Sequence, residues 1–183
     1  GCWKTRGGSV LSAVQTVTGL KPVVGIDGIT FDGVDDALAI ANNDIIKRAN
    51  VKHIYAVFKP NATNGGVFSR GGDNSYRVWW QSGTVRGTGW DSGDRSVTTP
   101  TNVKLCAQLW RVSNTSIHLR AGGVQNDSTQ PLFIAGENTA TLDLGYGNGY
   151  FGNVALDSLF LFTETPADKT AFDAYITAKG VTV

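Results

Sequence analysis

Two tryptophans stand side by side at Trp79 and Trp80, and a third, Trp90, lies in Gly87-Thr88-Gly89-Trp90-Asp91-Ser92-Gly93-Asp94-Arg95. A large ring in a glycine-rich loop has little neighbouring apolar sequence to pack against. Such rings, flanked by Asp and Arg, suit a sugar, whose C–H faces stack on the ring while its hydroxyls reach the polar groups. Trp90, Trp80, Asp91 and Arg95 are therefore the candidate ligand-binding residues. The opposing reading is that these rings finish the edge of a sheet or a subunit contact.

Asp32, Asp35 and Asp36 form the densest carboxylate cluster. Calcium needs about six or more converging oxygens, so these are weak calcium candidates. The expected arrangement is a turn that Asp32 initiates while the other two are solvated or cap neighbouring backbone donors. Glycan cleavage usually takes two carboxylates, one protonated and one ionised. The only glutamates are Glu137, in a polar loop, and Glu164, beside a predicted helix cap. His53 and His118 fall within predicted strands, with no Cys or His at ligand spacing. There is no G-x-S-x-G elbow and no phosphate loop. Cys2 and Cys106 are too far apart for metal-ligand spacing. Cys106 is expected to be a buried free thiol, a bridge to Cys2 being the alternative. No catalytic residue is assigned, and no cofactor is expected, calcium being the one ion left open.

The elements that must position these residues are mostly strands, because short apolar runs with two-residue periodicity alternate with glycine and asparagine clusters. Ile29 to Phe31 and Ala37 to Ile40 flank Asp32-Gly33-Val34-Asp35-Asp36, which reads as a hairpin with Gly33 at positive φ. Further strands are predicted at His53 to Lys59, Gly66 to Ser69, Tyr76 to Gln81, Thr84 to Gly87, Val103 to Val112, Ser116 to Arg120, Leu132 to Ile134 and Val154 to Phe162. Trp79 and Trp80, adjacent in a strand, must point to opposite faces. Val103 to Val112 is apolar on both alternating sets, so both its faces should be covered. Asn42 to Asn50 is a loop or a single helical turn. One helix is predicted from Pro166 to Lys179, with Thr165 as cap, a Phe172, Tyr175 and Ile176 stripe, and Gly180 as its stop.

The chain has 183 residues, 41% hydrophobic and 17% charged, with a formal charge of +1. Intrinsic disorder is excluded, and a core can form without metals or multiple disulfides. With no clustered Lys and Arg there is no electrostatic footprint for nucleic acid. No apolar run approaches the roughly 18 residues of a spanning helix, so no membrane insertion is expected. Methionine is absent, position 1 included, and the chain is expected to be a processed or excised part of a longer product. Without repeat or linker it reads as one domain over residues 1–183, residues 1–28 being the less defined part. About ten strands and one terminal helix leave a two-layer sandwich or a barrel.

The order of motifs favours the sandwich. Ile29-Thr30-Phe31-Asp32-Gly33-Val34-Asp35-Asp36-Ala37-Leu38 resembles a hairpin of the laminin-G-like, concanavalin A-like jelly-roll superfamily. His53 to Pro60, Gly65 to Gly72, Ser116 to Val124, and Leu142 to Gly145 with Tyr150 to Phe162 are similar to successive strands of that family. In the third, Ala121-Gly122 or Gly122-Gly123 replaces the usual Asn-Gly, and in the last, Asp157 or Ser158 stands where members often carry an acidic residue. Tyr175 to Gly180 resembles the tail of many bacterial and bacteriophage members. The matches cover about residues 29 to 180.

The resemblance implies an all-β, antiparallel two-sheet jelly-roll sandwich with one C-terminal helix. It further implies a non-catalytic recognition module on a bacteriophage virion (tail fibre, receptor-binding or capsid decoration protein) or an extracellular surface, binding cell-surface carbohydrate. The E-x-D-x-x-E signature of the family's glycosidases is absent, as are its alginate lyase motifs. Two other readings stand beside it: a structural module that assembles with other surface subunits or as a homo-oligomer, and a divergent glycan-cleaving enzyme.

Overall fold

The computed structural model describes residues 2–4, 12–47, 49–71, 76–89, 94–100, 102–113, 116–129, 139–164 and 168–183. Two antiparallel sheets make a jelly-roll β-sandwich. The eight-stranded sheet runs, edge to edge, β1 (Cys2–Lys4), β2 (Ser12–Val14), β5 (Leu38–Ile40), β14 (Leu142–Leu144), β7 (Asn64–Arg70), β8 (Arg77–Gln81), β9 (Thr84–Thr88) and β10 (Arg95–Thr98). The seven-stranded sheet runs β13 (Val124–Thr129), β12 (Ser116–Ala121), β11 (Leu105–Ser113), β6 (His53–Pro60), β17 (Val154–Phe162), β4 (Gly28–Thr30) and β3 (Val23–Gly25). A small hairpin, β15 (Tyr146–Gly147) with β16 (Tyr150–Phe151), forms a third, two-stranded sheet. Leu132 to Ile134 lie outside the described residues.

Strand β6 shows why the layers form. Its alternate residues Ile54, Ala56 and Phe58 enter the core between the sheets, while Tyr55 and Val57 join a second apolar cluster on the sheet's outer face. A strand apolar on both alternating sets must be covered on both sides. β11 behaves likewise, with Leu105, Ala107 and Leu109 inward and Cys106 outward, although Val103, which precedes the strand, is exposed. Cys106 is a buried free thiol, and burial pushes its pKa up to about 12.

The Asp32–Asp36 segment is a turn but not a hairpin. Gly33 has φ +82°, as its place in the turn demands. β4 pairs with β3 and β17, whereas β5 pairs with β2 and β14, so the turn carries the chain from one sheet to the other. Asp-Gly fixes a local backbone reversal, and the strand partners are chosen by burial elsewhere. Asn42 to Asn50 contains a single 3-10 turn at Asp44–Ile46, capped by the Asn43 side chain, and the β12–β13 turn falls at Gly122 and Gly123, both at positive φ.

Helix α1 (Lys169–Ala178) starts three residues later than predicted. Asp168 is its cap and accepts from the Ala171 N–H at 2.8 Å. Thr165 and Pro166 lie outside the described residues. A carboxylate at this position both satisfies an orphan amide and favours the positive end of the helix dipole. Asp168→Ala is therefore expected to cost about 1 kcal/mol, read as a lower midpoint in urea. Ile176 is buried and Phe172 packs on the outer cluster, but Tyr175 is half exposed. The helix ends at Gly180, φ +75°. No helix among the described residues is long and apolar enough to cross a membrane.

Candidate functional site

Of the residues expected to bind a ligand, Trp80 and Arg95 do not reach the surface. Trp80 and Arg95 point inward from β8 and β10, 2% and 3% exposed. The Trp80 ring belongs to the inter-sheet core, and its indole N–H donates to the Ala62 carbonyl at 3.0 Å. Arg95 shares its strand face with the core residue Val97. Neither presents a face to a ligand, so the expectation is corrected for both: strand alternation sets their direction, and loop composition around Trp90 carries no trace of it. Trp79 takes the opposite face of β8 and is buried too, with the Arg77 guanidinium 5.2 Å from its ring centroid. Trp90 and Asp91 lie outside the described residues.

A different aromatic group does reach the surface. In Tyr146-Gly147-Asn148-Gly149-Tyr150-Phe151, Asn148 and Gly149 both have positive φ, 54° and 81°, which closes a tight two-residue turn. Tyr146 packs on Phe151 with ring centroids 5.1 Å apart, while Tyr150 and Phe151 are 44% and 37% exposed. The hairpin is pressed flat against β7 because that strand offers no side chains there. A Cβ on Gly66 would overlap the backbone of Tyr146 and Gly147, and one on Gly152 would overlap the Gly66 carbonyl. The Gly145 N–H donates to the Val67 carbonyl at 3.0 Å, and the Gly152 N–H to the Gly145 carbonyl at 2.6 Å.

The aspartate turn lies alongside. A Cβ on Gly33 would come 2.8 Å from that of Asn153, and the Asn61 N–H donates to the Asn153 carbonyl at 2.9 Å. Asn153 is two residues beyond Phe151, roughly 7 Å of extended chain. One end of the sandwich thus gathers two exposed aromatic rings, the exposed Val34, the aspartate turn, and the exposed Asn61 and Asn64. Thr88, two residues before Trp90, pairs with Arg77 at the other end of β8, so the loop expected to bind a ligand leaves from the opposite end.

The three carboxylates have oxygens all within 4.8 Å of one another. Asp32 Oδ1 accepts from the Val34 N–H at 2.8 Å and the Asp35 N–H at 3.4 Å, and Asp36 Oδ2 accepts from the Asp32 N–H at 3.1 Å. The backbone donation holds Asp32 below the usual carboxylate range, whereas burial raises Asp36. Opposed shifts also mark the acid and base of a glycosidase. Here, however, Asp32 and Asp36 each turn one oxygen to the turn's own amides, which fits Asp32 as turn initiator.

No family model and no curated protein matches the sequence. Solved structures do resemble the fold. The binding domain of Paraclostridial Mosquitocidal Protein 1 superposes with a TM-score of 0.63 at 8% identity, over 96% of this chain and 52% of that one. The receptor binding domain of the botulinum neurotoxin C/D mosaic serotype gives 0.64 at 9%, over 98% and 50%. What is shared is the fold. A Trypanosoma rangeli sialidase in complex with sialic acid gives 0.61 at 9%, over 84% of this chain and 28% of that one. The chain spans about half the length of the toxin domains it matches.

Tyr146, Tyr150 and Phe151 were not among the residues singled out from sequence. Their signal was there: an Asn-Gly turn with aromatics on both sides and too few residues between turns to bury them.

Proposed function

We propose that this chain is a non-catalytic recognition module that binds a glycan on the Tyr146–Phe151 hairpin. The observation that carries the reading is the pair of exposed rings, Tyr150 and Phe151, on a hairpin followed by Asn153, which abuts the aspartate turn at Gly33 and bonds to Asn61. A ring face stacks on the C–H face of a pyranose, and Asp and Asn side chains take its hydroxyls. Its fold is one on which clostridial receptor-binding domains are built. The virion or extracellular setting, and with it the identity of the bound surface, rests on the resemblance of the sequence motifs.

Glycan-array binding tests it. Tyr150→Ala and Phe151→Ala are each expected to weaken binding by about 2 kcal/mol, roughly thirtyfold, with the melting transition unchanged, because exposed rings add little to the core. Chelation should alter neither binding nor melting, as the internally bonded turn implies; a melting temperature raised by millimolar calcium would make the aspartate turn a cation site. Intact binding in both variants with loss in Trp90→Ala would move the site to Trp90. Release of reducing ends from a polysaccharide would establish an enzyme instead.

One observation favours assembly as a second reading. Among the described residues β3 is the outermost strand of its sheet, carries no charged residue, and is followed by Ile26; Val23, Val24 and Ile26 are 68%, 83% and 102% exposed. An uncharged apolar edge strand is a template for pairing with another chain. If it assembles, mass in solution will exceed that of one chain and fall to the monomer value in Val24→Lys.

A further inference from the structure

Helix α1 and the C-terminal tail cover the outer face of the seven-stranded sheet through an apolar cluster separate from the inter-sheet core. Tyr55, Val57 and Cys106 come from the sheet, Ile176 from the helix, and Val181 and Val183 from the tail. Phe172 of α1 sits 4.5 Å from the Tyr55 ring and edge-on to Phe160 and Phe162. The tail is also tied to β11, the Cys106 N–H donating to the Thr182 carbonyl at 3.2 Å.

Beneath it lies a row of rings across four strands. His53 of β6 stacks on Trp110 of β11 at 5.4 Å and on Tyr55 at 4.4 Å, with Phe162 of β17 edge-on at 6.3 Å; His118 of β12 stacks on the far side of Trp110 at 5.1 Å. His53 is fully buried, and among the described residues neither ring nitrogen has a partner within hydrogen-bond distance; the Tyr55 hydroxyl and Gln108 Oε1 are buried in the same state. The charged groups of α1 that act on His53 are Lys169 and Asp173. The Asp173 carboxylate is already shared between Lys169 at 2.8 Å, Arg120 of β12 at 3.1 Å and the Gln108 amide of β11 at 3.2 Å. Cys106, on the same face, stays a thiol. Burial, first, and the Lys169 cation, second, oppose an imidazolium at His53, and they outweigh the Asp173 carboxylate and the Gln108 side chain, which favour it.

We propose that α1 is an acid-releasable cover: protonation of His53 lifts the helix and tail from the outer face of the sheet while the sandwich stays folded. Burial, with the Lys169 charge behind it, holds His53 neutral down to about pH 4, and water restores an ordinary value near 6.5 once the helix is off. The native value is depressed, so the docked state keeps its full stability above pH 6.5. Docking weakens as pH falls from 6.5 towards 4, by up to about tenfold for each pH unit. Release uncovers Tyr55, Trp110, Phe160 and Phe162.

Amide exchange, corrected for intrinsic rates and followed from pH 7 to 4.5, tests this on the intact chain. The opening constant of the α1 amides is expected to rise by up to tenfold per pH unit below 6.5, while the β7 and β8 amides do not follow. His53→Phe, which keeps the stack, should flatten the α1 response, and His118→Gln should leave it as in the native chain. A pH-independent α1, the same rise in His53→Phe, or sandwich amides opening in step would overturn the proposal. Should His53→Phe fail to fold, the His53 ring resonances of the native chain decide: titration well below 6.5 supports the cover, and titration at or above 6.5 overturns it.

Discussion

Gly66→Ala is expected to cost about 3 kcal/mol or more, although alanine in a strand interior ordinarily gains about 0.5–1 kcal/mol over glycine. The new methyl would meet the Gly147 amide and the Tyr146 carbonyl carbon, which are backbone atoms with no rotamer to yield. From the other side, the Gly152 N–H is tied into the same crossing by donating to the Gly145 carbonyl. The hairpin must lift from β7 or β7 must bend. A denaturant midpoint within about 0.5 kcal/mol of the native chain would show that the two segments do not cross as closely as described. Loss of glycan binding should accompany the loss of stability, which distinguishes this variant from Tyr150→Ala.

Trp80→Ala is the other large effect. Truncating a buried Trp typically costs about 3–5 kcal/mol, and here it also leaves the Ala62 carbonyl without its donor. Trp80→Phe isolates the second term and should cost at least about 1 kcal/mol. Trp79 offers the contrast: equally buried, its indole N–H has no partner among the described residues, so Trp79→Phe forfeits ring contacts but no hydrogen bond to those residues. Equal losses in the two Phe variants would contradict the Ala62 bond. A folded Trp80→Ala of native stability with impaired ligand binding would return Trp80 to the surface.

How much of this was legible follows from strand length. β6, β11 and β17 run for eight or nine residues, long enough for two-residue alternation to declare itself, and their positions agree with the sequence expectation to within two residues at most boundaries. β1, β2 and β3 have three residues each, too few for any period to show, whereas β5, equally short, was legible beside the Asp-Gly turn. The Asp32–Asp36 turn shows the same division. Its local chemistry was readable from Asp-Gly, but whether it joined two strands of one sheet was settled by Phe31 bonding to Val154 and Ala37 to Leu20. For the site, residue type suggested a stacking surface, but strand direction turned Trp80 and Arg95 inward and a turn of two positive-φ residues pushed Tyr150 and Phe151 out. Side-chain direction depends on register, and register is a long-range property.

The strand order has a consequence for how the chain is made. β14 lies between β5 and β7 in one sheet, and β17 lies between β6 and β4 in the other. Both come from residues 142–162 of 183. During synthesis, therefore, neither sheet can close until the last third of the chain has emerged, and β2–β5 and β4–β3 wait as detached pairs. Loop closures this long are slow and leave strand edges bare in the interval. A nascent chain stalled before residue 142 should be protease-sensitive throughout and a ready client for chaperones.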